Sequence, residues 1–153
     1  MNWRRPGEIK LPGYKPSVKG HPRQIKAAVE MINAAERPVL YAGGGVIRAG
    51  ASDELVAFAE AANLPVVTTL MGRGAIPDSY RLCLGMPGMH GTYTAITAMQ
   101  RADLLIAVEP LESLRYTHYL GENGTLVSSV NVFINIGNYP PVESVLERIA
   151  DEI

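Results

Sequence analysis

The sequence has little cysteine and no long apolar run, and each shortage excludes a class of protein. Cys83 is the only cysteine among 153 residues, so an intrachain disulfide cannot form, and a reducing cytoplasm is the expected location. No apolar run approaches the roughly 18 residues that span a bilayer, and residues 1–22 lack the apolar segment of a secretory signal. The net charge is −1 with scattered positive charges, so neither a nucleic-acid nor a membrane-surface function is expected.

Known catalytic motifs are also missing. The sequence contains no Gly-x-Ser-x-Gly elbow and no Walker loop. Its three histidines, His21, His90 and His118, are far apart, and no His/Cys spacing suggests zinc. Cys83 is most simply an inert apolar residue. We therefore expect no complete catalytic site and no metal ligands.

Short apolar runs alternate with helical patterns along the rest of the chain. The patterns predict strands at 38–43, 65–70, 103–108 and 129–136 and helices at about 22–35, 52–62, 92–100 and 140–152. This alternation predicts an α/β fold, a parallel sheet with helices on both faces. Residues 1–20 are rich in Pro, Gly and Lys and are expected to form an extended linker before one domain at 21–153. A chain that begins with such a linker is expected to be part of something larger.

Three consecutive glycines, Gly43, Gly44 and Gly45, follow the first predicted strand. Gly43 and Gly45 fit the first two places of a dinucleotide fingerprint, but Arg48 stands where the third glycine belongs, and no acid follows about 20 residues on. A nicotinamide site is therefore not expected. Two interpretations stay open: a tight turn that needs glycine, or bare backbone N–H groups that face an anion.

A second candidate cluster is "GMPGMHGT", residues 85–92, at the end of a long loop. Its glycines allow close approach of a ligand, and its methionines can lie against a flat ring. His90 could cap the next helix, donate a hydrogen bond or be an ordinary turn residue. Three arginines are candidate phosphate clamps, although most arginines are solvated: Arg73, Arg81 and Arg115.

Three blocks of the sequence carry a family resemblance: "RPVLYAGGGVI", "LPVVTTLMGRGAIPDSYRLCLGMPGMHGT" and "ADLLIAV". In this order and spacing they closely resemble the central domain of acetolactate synthase (acetohydroxyacid synthase), a thiamine-diphosphate-dependent enzyme of branched-chain amino acid biosynthesis. The resemblance covers roughly residues 8–108. It implies a Rossmann-like domain that binds FAD, which does no net redox work in this family.

The resemblance also implies where the cofactors lie. Thiamine diphosphate and a divalent metal such as Mg²⁺ belong to flanking domains of the full-length enzyme, whose Gly-Asp-Gly motif is absent from this sequence. The chain is therefore expected to be inactive in carboligation by itself. By analogy the FAD groove would be lined by Gly43, Gly44, Gly45, Thr69, Leu70, Met71, Gly88, Met89, His90, Gly91 and Arg115.

The sequence departs from the family after Val108. Glu109 replaces a glycine, only Arg115 is retained from the following family motif, and 135–137 reads "NIG" where the family has Asp-Ile-Asp. An acid at 109 would oppose a diphosphate, so we predict weak FAD binding that Glu109→Gly improves.

Two other functions stay open beside FAD binding. One is a cofactor-free structural or interaction module derived from the same domain. The other is a small enzyme in which Glu109, Glu112 and His90 converge as acid and base. Apolar surface around Met86, Met89 and Leu111 would in addition predict a homo-oligomer.

Overall fold

A computed structural model of the chain describes residues 19–107, 110–128 and 140–152. Five strands form one sheet: β1 (Pro38–Ala42), β2 (Val66–Thr68), β3 (Cys83–Gly85), β4 (Leu104–Ala107) and β5 (Thr125–Ser128). Around it lie α1 (Pro22–Ala34), α2 (Gly44–Arg48), α3 (Ser52–Ala61), α4 (Tyr93–Arg101), α5 (Pro110–Arg115) and α6 (Val142–Glu152). Two 3-10 turns complete the described elements, Leu70–Gly72 and Thr117–Tyr119.

The sheet is parallel throughout, in the order β3-β2-β1-β4-β5. This confirms the predicted α/β, Rossmann-like class. The chain runs outward from β1 to β3 on one side, then returns so that β4 pairs with β1 on the other. β1 is therefore the strand at which the order reverses, and ligands in such sheets bind beyond the carboxyl ends of the strands near that point.

The two faces of the sheet bury separate apolar clusters. On one face Leu40 and Val66 pack with Ala59, Leu64 and Ile76. On the other face strand and α4 residues pack together: Val39, Tyr41, Val67, Ala95, Met99, Ala102, Leu105 and Ala107. Alternate residues of β1 thus face opposite clusters, as expected of a strand covered on both sides.

One carboxylate, that of Asp103, links the amino ends of β1 and β4, at the edge of the sheet opposite the carboxyl ends of the strands. Asp103 Oδ2 accepts the backbone N–H of Glu36 at 2.7 Å, and Oδ1 accepts that of Arg37 at 2.9 Å. Burial alone would raise the pKa of Asp103. The hydrogen bonds to its carboxylate, together with the Arg37 charge, outweigh burial and lower that pKa.

Most predicted elements are confirmed, with four additions. α1, β1, α3, β2, α4, β4 and α6 lie where the patterns place them within a few residues. The structure adds α2 directly after the glycines, β3 inside the predicted long loop, and α5 and β5. The strand predicted at 129–136 lies outside the described residues. Residues 1–18 of the predicted linker also lie outside them, so the domain boundary stays a prediction.

Across the described segments, no helix has both the length and the apolar character needed to cross a membrane.

Candidate functional site at the carboxyl edge of the sheet

The glycine turn after β1 and the 3-10 turn after β2 form one packed unit. The backbone N–H of Thr69 donates to Ala42 O at 2.9 Å. The Thr69 hydroxyl turns inward, where its Oγ1 accepts the Gly72 N–H at 2.9 Å. Thr69 is 4% exposed, so its side chain holds the turn together and is not presented to a ligand.

The glycines of this unit differ in what their missing side chains allow. A Cβ on Gly44 would stand 2.9 Å from Met71 O, and one on Gly72 would overlap Ala42 O. Packing between the two turns therefore explains these two glycines. Gly45 is exposed, and among the described residues no atom lies within 4 Å of the Cβ it would carry. Among the glycines of these two turns, Gly45 is the one that is exposed with open space beside it.

Large apolar side chains stand exposed beside Gly45. Leu70 is 69% exposed and Met71 is 65% exposed. Met89, after the neighbouring strand β3, is 92% exposed. Such side chains are normally withdrawn from water, so a group of them at the carboxyl edge of the sheet makes this edge a candidate contact surface.

The segment after β3 folds back on itself through its glycines. Gly88 has φ +97°, a left-handed conformation that favours glycine, and its carbonyl accepts the Gly91 N–H at 2.9 Å. A Cβ on Gly91 would stand 2.6 Å from the Pro87 carbonyl carbon. Gly91 is therefore required by the turn itself, whether or not a ligand binds.

His90 does not cap the following helix, which corrects one of its three interpretations. The N-cap of α4 is Thr92, whose Oγ1 accepts the Ala95 N–H at 3.1 Å. His90 is exposed, in the same turn as Met89. A hydrogen bond from His90 to a ligand is still compatible with this position.

Tyr116 lies next to two predicted site residues that are distant in the sequence, Gly88 and Arg115. It follows Arg115, the last residue of α5, and its ring lies edge-on to Tyr41 with centroids 5.7 Å apart. A Cβ on Gly88 would stand 3.8 Å from this ring. Arg115 is exposed nearby. Sequence reasoning did not select Tyr116, although the aromatic run through Tyr119 was the available signal.

The other two arginines do not support a phosphate clamp. Arg73 pairs with Asp78, with Nη2 to Oδ2 at 3.2 Å. Arg81 hydrogen-bonds Asn63 Oδ1, and both residues lie at the amino end of the sheet. Arg81 is thus at the wrong edge, because the pattern in the loop gave no register for β3.

Several predicted positions cannot be placed. Glu109 and 135–137 lie outside the described residues, as do the side chains of Leu111 and Glu112. The proposed convergence of Glu109, Glu112 and His90 therefore stays a prediction. No group of three or more metal-ligating side chains occurs in the described part of the chain. What the described edge offers is an anion contact and an apolar surface, without a paired acid and base.

The chain resembles known proteins over most of the described domain. The family model "Thiamine pyrophosphate enzyme, central domain" matches residues 25–138. Acetolactate synthase of Mycobacterium avium is 61% identical over 103 residues, which are 67% of this chain and 17% of that protein. The large subunit of acetolactate synthase isozyme 3 of Escherichia coli is 48% identical over 103 residues, 67% of this chain and 18% of that protein.

One solved structure supports the same relationship. It is an X-ray structure of a thiamin diphosphate-dependent enzyme from Mycobacterium smegmatis, 30% identical, with a TM-score of 0.54. The likeness covers 70% of this chain and 21% of that one. The chain therefore spans about a fifth or less of the proteins to which it is similar.

Proposed function

Because the chain belongs to the family of thiamine pyrophosphate enzyme central domains, and is the central domain of an acetolactate synthase-like protein, we propose that it holds FAD at the carboxyl edge of its sheet. The activity of the whole synthase is proposed only for a protein that joins this domain to thiamine-binding domains. In that setting FAD supplies no net redox step, and this domain's part is to bind and orient it.

One observation carries the proposal: exposed apolar side chains flank an exposed glycine where three adjacent strands end. Gly45 leaves room for a diphosphate to approach backbone N–H groups. Leu70, Met71 and Met89 offer soft apolar contacts to a flat ring. These are the two parts of a dinucleotide, an anionic centre between planar aromatic ends. The residues present therefore fit FAD.

The other predicted FAD residues divide into supporting and contacting positions. Gly44, Thr69, Gly88 and Gly91 shape the turns, since packing, a hydrogen bond or backbone conformation accounts for each of them; Gly43 is buried as the N-cap of α2, and neither its φ of −101° nor a close contact requires glycine there. Contact with FAD is proposed for Gly45, Leu70, Met71, Met89, His90 and Arg115, all of which are exposed.

The test is titration of the purified chain with FAD, followed by quenching of flavin fluorescence. Gly45→Val places a branched side chain where the diphosphate is proposed to approach, so binding should weaken at least tenfold while the melting temperature is kept. Met89→Ser removes an apolar contact of a side chain that is 92% exposed, so binding should also weaken without loss of stability. Ala57→Val, at an exposed position of α3, is the matched control and should bind like wild type.

The outcomes separate the open functions. If wild type, Gly45→Val and Met89→Ser bind FAD equally, the glycine turn is only a turn and the proposed groove is wrong. If the folded wild type does not bind FAD at all, the proposal is wrong and the cofactor-free structural module is favoured.

A further inference from the structure

The methionines of the described chain differ widely in how far water reaches their side chains. Met89 is 92% exposed and Met71 is 65% exposed. Met31, on α1, is 37% exposed, Met86 is partly buried, and Met99 is completely buried in the cluster beneath α4. The two most exposed thioethers among the described residues therefore both lie at the carboxyl edge of the sheet, after the adjacent strands β2 and β3.

Met71 and Met89 have exposed side chains on backbone that is held in place. Met71 lies in the 3-10 turn that packs against the glycine turn, with its carbonyl oxygen 2.9 Å from the Cβ that Gly44 would carry. Met89 lies in the turn closed by the 2.9 Å hydrogen bond from Gly91 N–H to Gly88 O. These contacts are made by backbone atoms, so a chemical change at either sulfur should leave both turns in place.

An exposed methionine sulfur reacts with peroxides. A lone pair of the sulfur attacks one oxygen of hydrogen peroxide, the O–O bond breaks, and methionine sulfoxide and water are formed, so the sulfur is oxidised by two electrons and the peroxide is reduced. The sulfoxide is polar where the thioether was apolar. A flat ring that covers it would remove water from the S=O group without supplying a hydrogen bond, which is unfavourable.

We propose that Met71 and Met89 form a reversible oxidation site that sets the FAD affinity of the carboxyl edge. The inference rests on the proposed function, because the sulfurs flank the surface where FAD is proposed to bind. Hydrogen peroxide reaches them only while this surface is open, so FAD protects both sulfurs. Oxidation weakens FAD binding roughly tenfold, the penalty for covering a polar group that has no hydrogen-bond partner. Methionine sulfoxide reductases of both stereospecificities reverse the change.

Peptide mass spectrometry of the full chain, during a time course with dilute hydrogen peroxide, tests the oxidation site itself. Met89 should be oxidised first, then Met71, then Met31, with Met99 unmodified. FAD at about ten times its dissociation constant leaves roughly one tenth of the chains open, so oxidation of Met71 and Met89 should slow roughly tenfold while that of Met31 is unchanged. Oxidation of Met31 as fast as Met89, or no protection in a chain that binds FAD, would overturn the proposal.

Flavin fluorescence titration, after catalase has removed the peroxide, tests the effect on affinity. Oxidised wild type should bind FAD roughly tenfold more weakly than the untreated protein, with an unchanged melting temperature, and the two reductases should restore binding. Met71→Leu/Met89→Leu keeps apolar side chains without sulfur, so peroxide should not change its affinity from its own untreated value. It retains Cys83, so oxidation of that thiol affects both proteins alike. Met31→Leu is the matched control and should respond to peroxide as wild type does.

The outcomes separate this proposal from the proposed function. An equal effect of peroxide on the double variant would assign the effect to other residues and overturn the proposal, as would oxidation of both sulfurs without loss of affinity in wild type. A wild type that binds no FAD before treatment would instead refute the proposed function and, with it, the effect on affinity. Mass spectrometry would still decide the order of oxidation in that case.

Discussion

The contrast between Gly72 and Gly45 gives the most direct test of which glycines the fold requires. Both become alanine in the experiment, so the change in side chain is identical. At Gly72 the new methyl would overlap Ala42 O and stand 3.1 Å from the carbonyl carbons of Ala42 and Gly43. These neighbours are backbone atoms of β1 and its turn, which cannot rotate aside as a flexible side chain could.

The size of the effect follows from what must move. Relieving the overlap requires the 3-10 turn to shift away from β1 and strains the hydrogen bond from Thr69 N–H to Ala42 O, now 2.9 Å. Overpacking of this kind costs about 1–3 kcal/mol, and a weakened backbone hydrogen bond adds about 1 kcal/mol. For a chain of this length, about 2–4 kcal/mol corresponds to a fall in melting temperature of roughly 5–15 °C.

At Gly45 the methyl meets open space and lies on a helix. Alanine is a better helix former than glycine by up to about 1 kcal/mol, so the melting temperature should stay the same or rise slightly. Thermal unfolding followed by circular dichroism at 222 nm measures both variants against wild type. Equal shifts for Gly72→Ala and Gly45→Ala, or an unchanged melting temperature for Gly72→Ala, would refute the packing role assigned to Gly72.

Three further predictions concern stability and binding. Asp103→Asn should lower the melting temperature at pH 7 by roughly 2–4 °C, since the carboxylate that accepts two backbone N–H groups is lost. Because the folded pKa of Asp103 is lowered, its stabilisation is complete above the unfolded pKa of about 3.9 and is lost as the pH falls through the folded pKa. The gap in melting temperature between wild type and Asp103→Asn should therefore narrow once the pH falls below about 3.9, and a gap that stays constant there would contradict this. Tyr80→Phe should cost about 1 kcal/mol in urea unfolding, because the Tyr80 hydroxyl lies 3.0 Å from the carbonyls of both Ala59 and Leu64; no change would mean that water replaces it. Glu109→Gly should tighten FAD binding in fluorescence titration. Equal or weaker binding would contradict the proposed repulsion between Glu109 and the diphosphate.

The elements with a clear local sequence pattern could be predicted, and those formed by contacts with distant parts of the chain could not. α1 and α4 show helical periodicity over many residues, and β1, β2 and β4 are apolar runs bounded by breakers. β3 is three residues within a glycine- and proline-rich loop, and it exists because β2 supplies hydrogen bonds at its side. α2 begins inside a run of glycines, which propensity disfavours. Contacts with distant parts of the chain decide whether β3 and α2 form, and the local sequence pattern does not show those contacts.

The candidate site shows the same division between pattern and packing. The blocks around Gly45 and Met89 follow β1 and β3 and therefore lie at the same edge of the sheet, as expected for parallel strands, and the site there stays a prediction. The sequence could not separate Gly45 from Gly44, since only the position of Met71 O makes Gly44 a packing residue. It also left Arg81 as a candidate phosphate clamp, because the loop pattern did not show β3.

The separate clusters on the two faces of the sheet have a consequence for the order in which the protein assembles during synthesis. The cluster around Leu40 and Val66 draws its buried members from residues 40–76 alone. The cluster on the opposite face includes residues of α4 and β4. It therefore depends on the pairing of β1 with β4, which sets Pro38 opposite Leu104, a residue far away in the sequence. A ribosome delivers the first set well before the second, and contacts close in sequence form sooner. The residues on one face of the sheet can therefore pack before β4 has been synthesised to pair with β1 and complete the cluster on the other face.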